Sequence, residues 1–317
     1  MAANLNQKLS PVNRVLMFLA SQIPYGLGAR LLSGFYRVGF LRRIFFKRRL
    51  KFLRRIIMLC PADCDAHEAS LRHLTCNLLM PWRVVALSRL HDAALDQWVR
   101  FENEDILREH YGKGRGVVLV ISHTGAGRAI PIMMFRRGYD ITTMDPEPYL
   151  ARMGARDADK VPVINLRSGD KFWLKEVFKA KKMLDAGGML TLAADGRVGN
   201  GGIQHRFHDI TIPFHVSFAE LALQTNSTVI QAFANIDSKG KIVIEFLPAL
   251  DSGDTSAPRE ARVKLLLDQY VANLEQKWRD NPGNILTTLV RLYNQVKAEQ
   301  DVSAHSEALQ VSHAHIK

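Results

Sequence analysis

The chain has 317 residues, 47% of them hydrophobic, and a formal net charge of +12. This length and composition allow a substantial core, and we expect one domain preceded by an N-terminal segment. The charge is uneven, because no Asp or Glu precedes Asp63 while the first 62 residues contain twelve Lys and Arg. No zinc-finger, RNP-like or basic-zipper pattern accompanies these cations, which argues against nucleic acid as a partner.

The first predicted element is a basic amphipathic helix within residues 37–55. Nine cations there are interleaved with aromatic and aliphatic residues, and at 3.6 residues per turn Leu41, Phe45, Phe52 and Ile56 gather on one side. This composition favours a helix that lies in the interface of an anionic membrane. A helix packed on the core with a basic outer face is the alternative. We assign residues 1–60 to a membrane-association segment.

No stretch of the sequence reaches the roughly 18 to 20 uninterrupted apolar residues that span a bilayer. The best candidate, residues 15–28, is too short, is interrupted by Gln22 and Pro24, and has no signal-peptide cleavage site. We therefore expect a cytoplasmic protein that is peripheral to a membrane, with an N-terminal anchor.

The three cysteines, Cys60, Cys64 and Cys76, lie close together in the sequence near His67 and His73. Their spacing matches no common zinc module, and an odd number of cysteines argues against a disulfide framework. We expect reduced thiols in a helix and no metal site.

Helical and strand-like patterns then alternate along a domain of residues 61–299. Apolar residues recur at helical intervals from about residue 61 to 110, and further helices are predicted at residues 129–137, 171–186, 216–225 and 258–296. Strands are predicted at residues 117–122, 139–144, 189–195, 227–236 and 241–247. This alternation predicts an α/β fold with a mixed, largely parallel sheet flanked by helices. The polar residues 300–317 are expected to be disordered.

Two loops are candidates for a reactive site, because ligands of α/β sheets bind just beyond the carboxyl ends of the strands. In the first loop, residues 122–128, His123 follows a buried strand and could take a proton from a hydroxyl or amine. Gly125 and Gly127 would leave room for that substrate. A histidine bonded to backbone is the alternative. The second loop, residues 195–202, has four glycines but no Lys-Ser/Thr ending, so a phosphate-binding P-loop is not expected.

Several blocks of sequence occur in the order found in a known family. These blocks are residues 98–124, 192–202, 208–233 and 274–294. Together they resemble the lipid A biosynthesis acyltransferase branch of the lysophospholipid acyltransferase family, over roughly residues 60–296. The family motif is His, four residues, then Asp or Glu, and His123 matches its first position. Arg128 stands where the family has the acid.

The resemblance implies transfer of an acyl group from acyl carrier protein or coenzyme A to a hydroxyl or amine of a membrane amphiphile. It also implies a peripheral protein on the cytoplasmic face of the bacterial inner membrane. His123 would be the general base, and no bound cofactor is implied. Three explanations of Arg128 stay open. Another acid, Asp195 first and Asp145 second, could reach His123; the base could act unaided; or the protein could be a catalytically inactive one that binds lipid or acyl carrier protein.

The remaining predicted site residues would bind substrate. Arg128 and Arg197 could hold a phosphate of the acceptor or thioester as guanidinium clamps, with surface salt bridges as the alternative. Gly125 and Gly196 would border the same substrate.

Overall fold

The computed structural model describes residues 22–40, 65–77, 80–145, 155–165, 173–195, 202–287, 289–290 and 292–300. Its helices are α1 (Tyr25–Arg37), α2 (Ala66–Asn77), α3 (Met80–Ser88), α4 (Asp92–Leu95), α5 (Glu104–Tyr111), α6 (Ile130–Arg136), α7 (Trp173–Asp185), α8 (Ser217–Thr225) and α9 (Arg259–Asp280). Residues 292–300 are also helical. The strands are β1 (Val99–Glu102), β2 (Val117–Ile121), β3 (Ile141–Asp145), β4 (Val163–Asn165), β5 (Met189–Ala193), β6 (Ile203–Phe207), β7 (Ile210–Phe214), β8 (Thr228–Ile236) and β9 (Ile242–Phe246).

The main sheet of the described chain has the strand order β1-β9-β8-β2-β5-β3-β4. Neighbouring strands run parallel except β8 and β9, which form an antiparallel pair. The predicted α/β class with a mixed, largely parallel sheet flanked by helices is therefore confirmed. Strands β6 and β7 form a separate antiparallel hairpin.

The position of β2 in the middle of the sheet explains why its sequence is apolar without alternation. All five of its residues are buried, since β5 and β8 flank it and helices cover both faces of the sheet. Val118 and Val120 pack into the core on one face, and Val117, Leu119 and Ile121 pack into the core on the other. A strand buried on both faces reads as a continuous hydrophobic run.

Helix α1 is attached to the core mainly through aromatic packing. The ring of Tyr25 stacks on Trp82 and meets the edge of Trp98, and its hydroxyl donates a 2.6 Å hydrogen bond to the Gly240 carbonyl. Gly28 permits this close approach, because a Cβ there would lie 2.2 Å from the Trp82 ring. Of the described helices, none combines the length and apolar character needed to cross a membrane.

Two sequence predictions of secondary structure were wrong in part. The region of residues 61–110 is not helical throughout, because it contains β1, which pairs with β9 at the sheet edge. A four-residue strand is too short to interrupt a helical periodicity visibly. The predicted helix of residues 258–296 ends at Asp280 and is followed by a 3-10 turn at Pro282–Asn284. Proline and glycine there disfavour continuation of the helix. Most of the predicted basic helix, residues 41–55, and the tail beyond residue 300 lie outside the described ranges.

Candidate active site

The register of the sheet places His123 and Asp195 side by side. Strands β2 and β5 are parallel neighbours, and Ile121 at the end of β2 is paired with Ala193 at the end of β5. His123 and Asp195 each lie two residues beyond these partners. Both therefore leave the sheet at its carboxyl edge, where α/β proteins bind their ligands.

The two side chains are in direct contact. The Nδ1 atom of His123 lies 2.7 Å from Oδ1 of Asp195, and the backbone N–H of His123 donates a 2.7 Å hydrogen bond to Oδ2 of the same carboxylate. Because an ionised carboxylate only accepts hydrogen bonds, this contact assigns the ring proton to Nδ1. The lone pair of Nε2 is then available to take a proton. The Asp195 side chain is 3% exposed, whereas that of His123 is 23% exposed and can be reached from solvent.

A buried tyrosine lies in the electrostatic field of the same carboxylate. Burial raises the pKa of the Tyr270 hydroxyl well above its usual value, and the negative charge of Asp195 raises it further. Tyr270 therefore stays neutral at any physiological pH, and it cannot replace His123 as a base.

The loop after His123 is held by close backbone contacts. Gly125 has a positive φ of 47°, and a Cβ at this position would lie 2.0 Å from the Ala234 carbonyl oxygen. At Gly127 a Cβ would lie 2.2 Å from the Ser122 carbonyl oxygen. These glycines are therefore explained by close chain packing. That they also border a substrate stays a prediction.

The structure describes the other predicted site residues only in part. Arg128 is exposed on the 3-10 turn that leads into α6, five residues after His123. Its role as a substrate clamp stays a prediction. Asp145 ends β3, next to β5, but its side chain lies outside the described part of the chain. Arg197 and Gly196 also lie outside it. Of the two acids considered for His123, Asp195 is the one that the structure brings into contact.

One part of the site was missed by sequence reasoning. The 3-10 turn at Pro282–Asn284 reaches back to the His123 loop, and the N–H of Leu286 donates a 3.3 Å hydrogen bond to the His123 carbonyl. The signal available in the sequence was the Asn-Pro-Gly-Asn run at residues 281–284, which predicts a turn. No local pattern indicates which loop such a turn contacts.

Among the described residues, no group of three His, Cys, Asp or Glu side chains is arranged to hold a metal ion. Cys76 is fully buried in α2, with its sulfur 3.7 Å from the Ile236 carbonyl oxygen. Burial raises the pKa of this thiol to about 12, so it is protonated and unreactive at neutral pH. Cys60 and Cys64 lie outside the described ranges.

Comparison with known proteins gives a family match over most of the chain. The sequence profile described as bacterial lipid A biosynthesis acyltransferase matches residues 16–278. Among solved structures, the crystal structure of the 1-acyl-sn-glycerophosphate acyltransferase PlsC from Thermotoga maritima is similar at 13% sequence identity and a TM-score of 0.32. That similarity covers 78% of this chain and 97% of the other. A comparison with curated proteins gives no match.

Proposed function

Because this chain belongs to the bacterial lipid A biosynthesis acyltransferase family, we propose that it transfers a fatty acyl group from a thioester to a membrane amphiphile. The thioester is carried by acyl carrier protein or coenzyme A, and the acceptor group is a hydroxyl or an amine. The observation that supports this reaction best is the contact between His123 and Asp195 at the carboxyl edge of the sheet.

In the proposed reaction His123 is the general base. Its Nε2 takes the proton of the acceptor hydroxyl or amine while the acceptor oxygen or nitrogen attacks the thioester carbonyl carbon. The carbon–sulfur bond then breaks, and the imidazolium returns the proton to the leaving thiolate. The products are an ester or amide and a free thiol. Asp195 keeps the proton on Nδ1 and stabilises the imidazolium that forms during attack.

Asp195 also accounts for the absence of an acid five residues after His123. The family motif that the sequence resembles has a carboxylate at that position, where this chain has Arg128. We propose that the acid is supplied from the neighbouring strand instead, and the paired register of β2 and β5 supports this arrangement. We propose that Arg128 and Arg197 bind a phosphate of the acceptor or of the thioester carrier.

We further propose that the N-terminal segment binds anionic membrane. Helix α1 leads directly into the basic segment of residues 37–55, and it carries two large apolar side chains that do not pack on the core. Leu27 and Leu31 are 52% and 58% exposed and lie one turn apart, with Arg30 exposed beside them. An exposed apolar row with neighbouring cations suits insertion into a lipid interface.

Sedimentation with vesicles tests this membrane contact. Each cation near an anionic surface contributes about 1 kcal/mol, so replacing four arginines by Gln should release the protein from anionic vesicles. The four substitutions are Arg42→Gln, Arg43→Gln, Arg48→Gln and Arg49→Gln. The matched control replaces Arg115, Arg136, Arg156 and Arg262, which lie in the α/β domain, and should leave binding intact. Equal binding of the wild-type protein to neutral vesicles at high salt would contradict the proposal.

Thioester turnover tests the enzymatic function. The wild-type protein should release free thiol from acyl carrier protein or coenzyme A only when an acceptor is present. His123→Gln should lower that rate about 10²- to 10⁴-fold, the usual contribution of a general base. The matched control is His110→Gln, because His110 faces Thr228 at the start of β8, on the opposite edge of the sheet.

Two results would contradict the enzymatic proposal. A folded His123→Gln variant with full activity would place the base elsewhere. A wild-type protein that binds acyl carrier protein or lipid but turns over no thioester with any acceptor would favour an inactive binding protein instead.

A further inference from the structure

The side chain of Asn284 completes the end of strand β8. Strand β2 ends early, since Ile121 pairs with Ala232, so Ile236 at the end of β8 has no β2 residue opposite it. Oδ1 of Asn284 accepts a 2.7 Å hydrogen bond from the Ile236 N–H, and its Nδ2 donates a 3.3 Å bond to the Ile236 carbonyl. The amide thus takes the place of a neighbouring strand.

The backbone around Asn284 holds the His123 loop at the same time. The Asn284 carbonyl accepts a 2.6 Å hydrogen bond from the Gly125 N–H, and Thr124 forms an antiparallel bridge with Ile285. One residue further on, Leu286 donates to the His123 carbonyl, as described above. Asn284 is 1% exposed, so water does not compete for these bonds.

The loop is therefore fixed on three sides. Asp195 holds it from β5, and the Ala234 carbonyl holds it from β8 by accepting a 2.7 Å hydrogen bond from the Ala126 N–H. The turn at Pro282–Asn284 holds it from the third side. The third contact depends on the Asn284 side chain, whose two hydrogen bonds to Ile236 fix the turn against the end of β8.

We propose that Asn284 is a positioning residue of the active site. By fixing the turn against Ile236, it holds the His123 backbone so that Nδ1 stays in contact with Asp195 and Nε2 keeps its direction. An asparagine suits this position because one amide satisfies a backbone donor and a backbone acceptor together. This inference rests on the proposed function for its kinetic consequence, although the geometry of the loop can be tested separately.

The experiment compares Asn284→Ala with Asn273→Ala. Asn273 is a matched control, because its Nδ2 donates a 2.6 Å hydrogen bond to Gln231 between α9 and β8, and it does not contact the His123 loop. In Asn284→Ala we expect kcat to fall about 10²-fold, because a displacement of a catalytic group by about 1 Å can cost that much in rate. The KM for the thioester should change little. Asn273→Ala should lose comparable thermal stability and keep kcat. Asn284→Ser replaces Asn284→Ala if the alanine variant does not fold.

A spectroscopic measurement separates positioning from general destabilisation. With ¹⁵N-labelled histidine, the Nδ1–H resonance of His123 is identified by its loss in His123→Gln. The resonance should shift or disappear in the folded Asn284 variant and stay unchanged in Asn273→Ala. A folded Asn284 variant with an unchanged resonance and kcat within about twofold of wild type, well short of the 10² expected of a displaced group, would overturn the proposal.

The measurement also distinguishes the two proposals from each other. If the wild-type protein transfers no acyl group, the proposed function fails, but the His123 resonance still decides whether Asn284 positions the loop. Equal losses of kcat in Asn284→Ala and Asn273→Ala, with the resonance unchanged in both, would reduce Asn284 to a stability role.

Discussion

The substitution Asp195→Asn is the sharpest test of the His123–Asp195 pair, because the structure shows why an amide cannot replace this carboxylate. Asp195 accepts two hydrogen bonds from His123, one from the backbone N–H and one from Nδ1. An asparagine has one acceptor oxygen and one donor NH₂. If the oxygen accepts the backbone N–H, the NH₂ faces Nδ1 and forces the ring proton onto Nε2, where it blocks the base.

The opposite orientation of the amide is also unfavourable. The NH₂ would then face the backbone N–H of His123, leaving two buried donors in contact at a cost of about 1 to 3 kcal/mol. Solvent gives little relief, since the Asp195 side chain is only 3% exposed. We therefore expect Asp195→Asn to lower kcat about as much as loss of the base, by roughly 10²- to 10⁴-fold, equivalent to about 2.7 to 5.4 kcal/mol of transition-state stabilisation.

The assay is single-turnover thiol release, measured for the two single variants and for the double variant with His123→Gln. Residues that act as a unit are strongly non-additive, so the double variant should be little worse than either single one. Asp185→Asn serves as the control, because Asp185 ends α7 at the surface and pairs with Lys181. Multiplicative losses in the double variant, or a folded Asp195→Asn protein that keeps most of its activity, would refute the reasoning.

Three further predictions follow from neighbouring features. If Asp195 provides the acid and Arg128 binds a phosphate, as proposed, Arg128→Glu should lower activity and raise KM. Higher activity of this variant in a thioester assay would contradict the proposal. Gly125→Ala should destabilise the protein by several kcal/mol, because the new side chain would be both strained and crowded. Gly112→Ala is the control and should be tolerated, since the nearest atom to its new Cβ lies 3.8 Å away. Denaturant unfolding measures the stability of both variants. Burial lowers the pKa of His208 below its usual value of 6.5. As the pH falls, His208 is therefore protonated in the unfolded chain before it is protonated in the folded one, and the free energy of unfolding declines below pH 6.5. His208→Gln should make thermal unfolding less sensitive to acid, and an unchanged pH dependence would remove His208 as a cause.

The approach of His123 to Asp195 could be anticipated from sequence because both signals are local. Each residue directly follows an apolar run typical of a buried strand, and the carboxyl ends of parallel strands meet at one edge. Which strands are neighbours is not a local property. The pairing of β2 with β5 depends on the crossover of the chain through β3 and β4, and the sequence alone left Asp145 as a second candidate for the same contact.

The contacts that hold the loop could not be predicted in the same way. Gly125 was predicted to border a substrate, and its φ and its neighbour Ala234 show in addition that the chain is closely packed on one side of it. A glycine in the sequence is compatible with either role, and the close packing becomes visible only once β8 is placed beside the loop. The role of Asn284 could not be predicted from the sequence for a related reason. Its partners Ile236 and Gly125 are far away in the sequence, and an asparagine in a turn usually bonds to its own neighbours.

The distance in sequence between the parts of this site has a consequence for how the protein is made. During synthesis Asp195 follows His123 by 72 residues, and the turn at Pro282–Asn284 that contacts the His123 loop follows only near the end. The basic N-terminal segment, by contrast, emerges first and could reach a membrane at once. If this segment binds membrane and His123 is the base, as proposed, a partly synthesised chain could dock before the base is assembled. If the protein acts on a thioester as proposed, a nascent chain could not consume it before β2, β5 and the turn have come together.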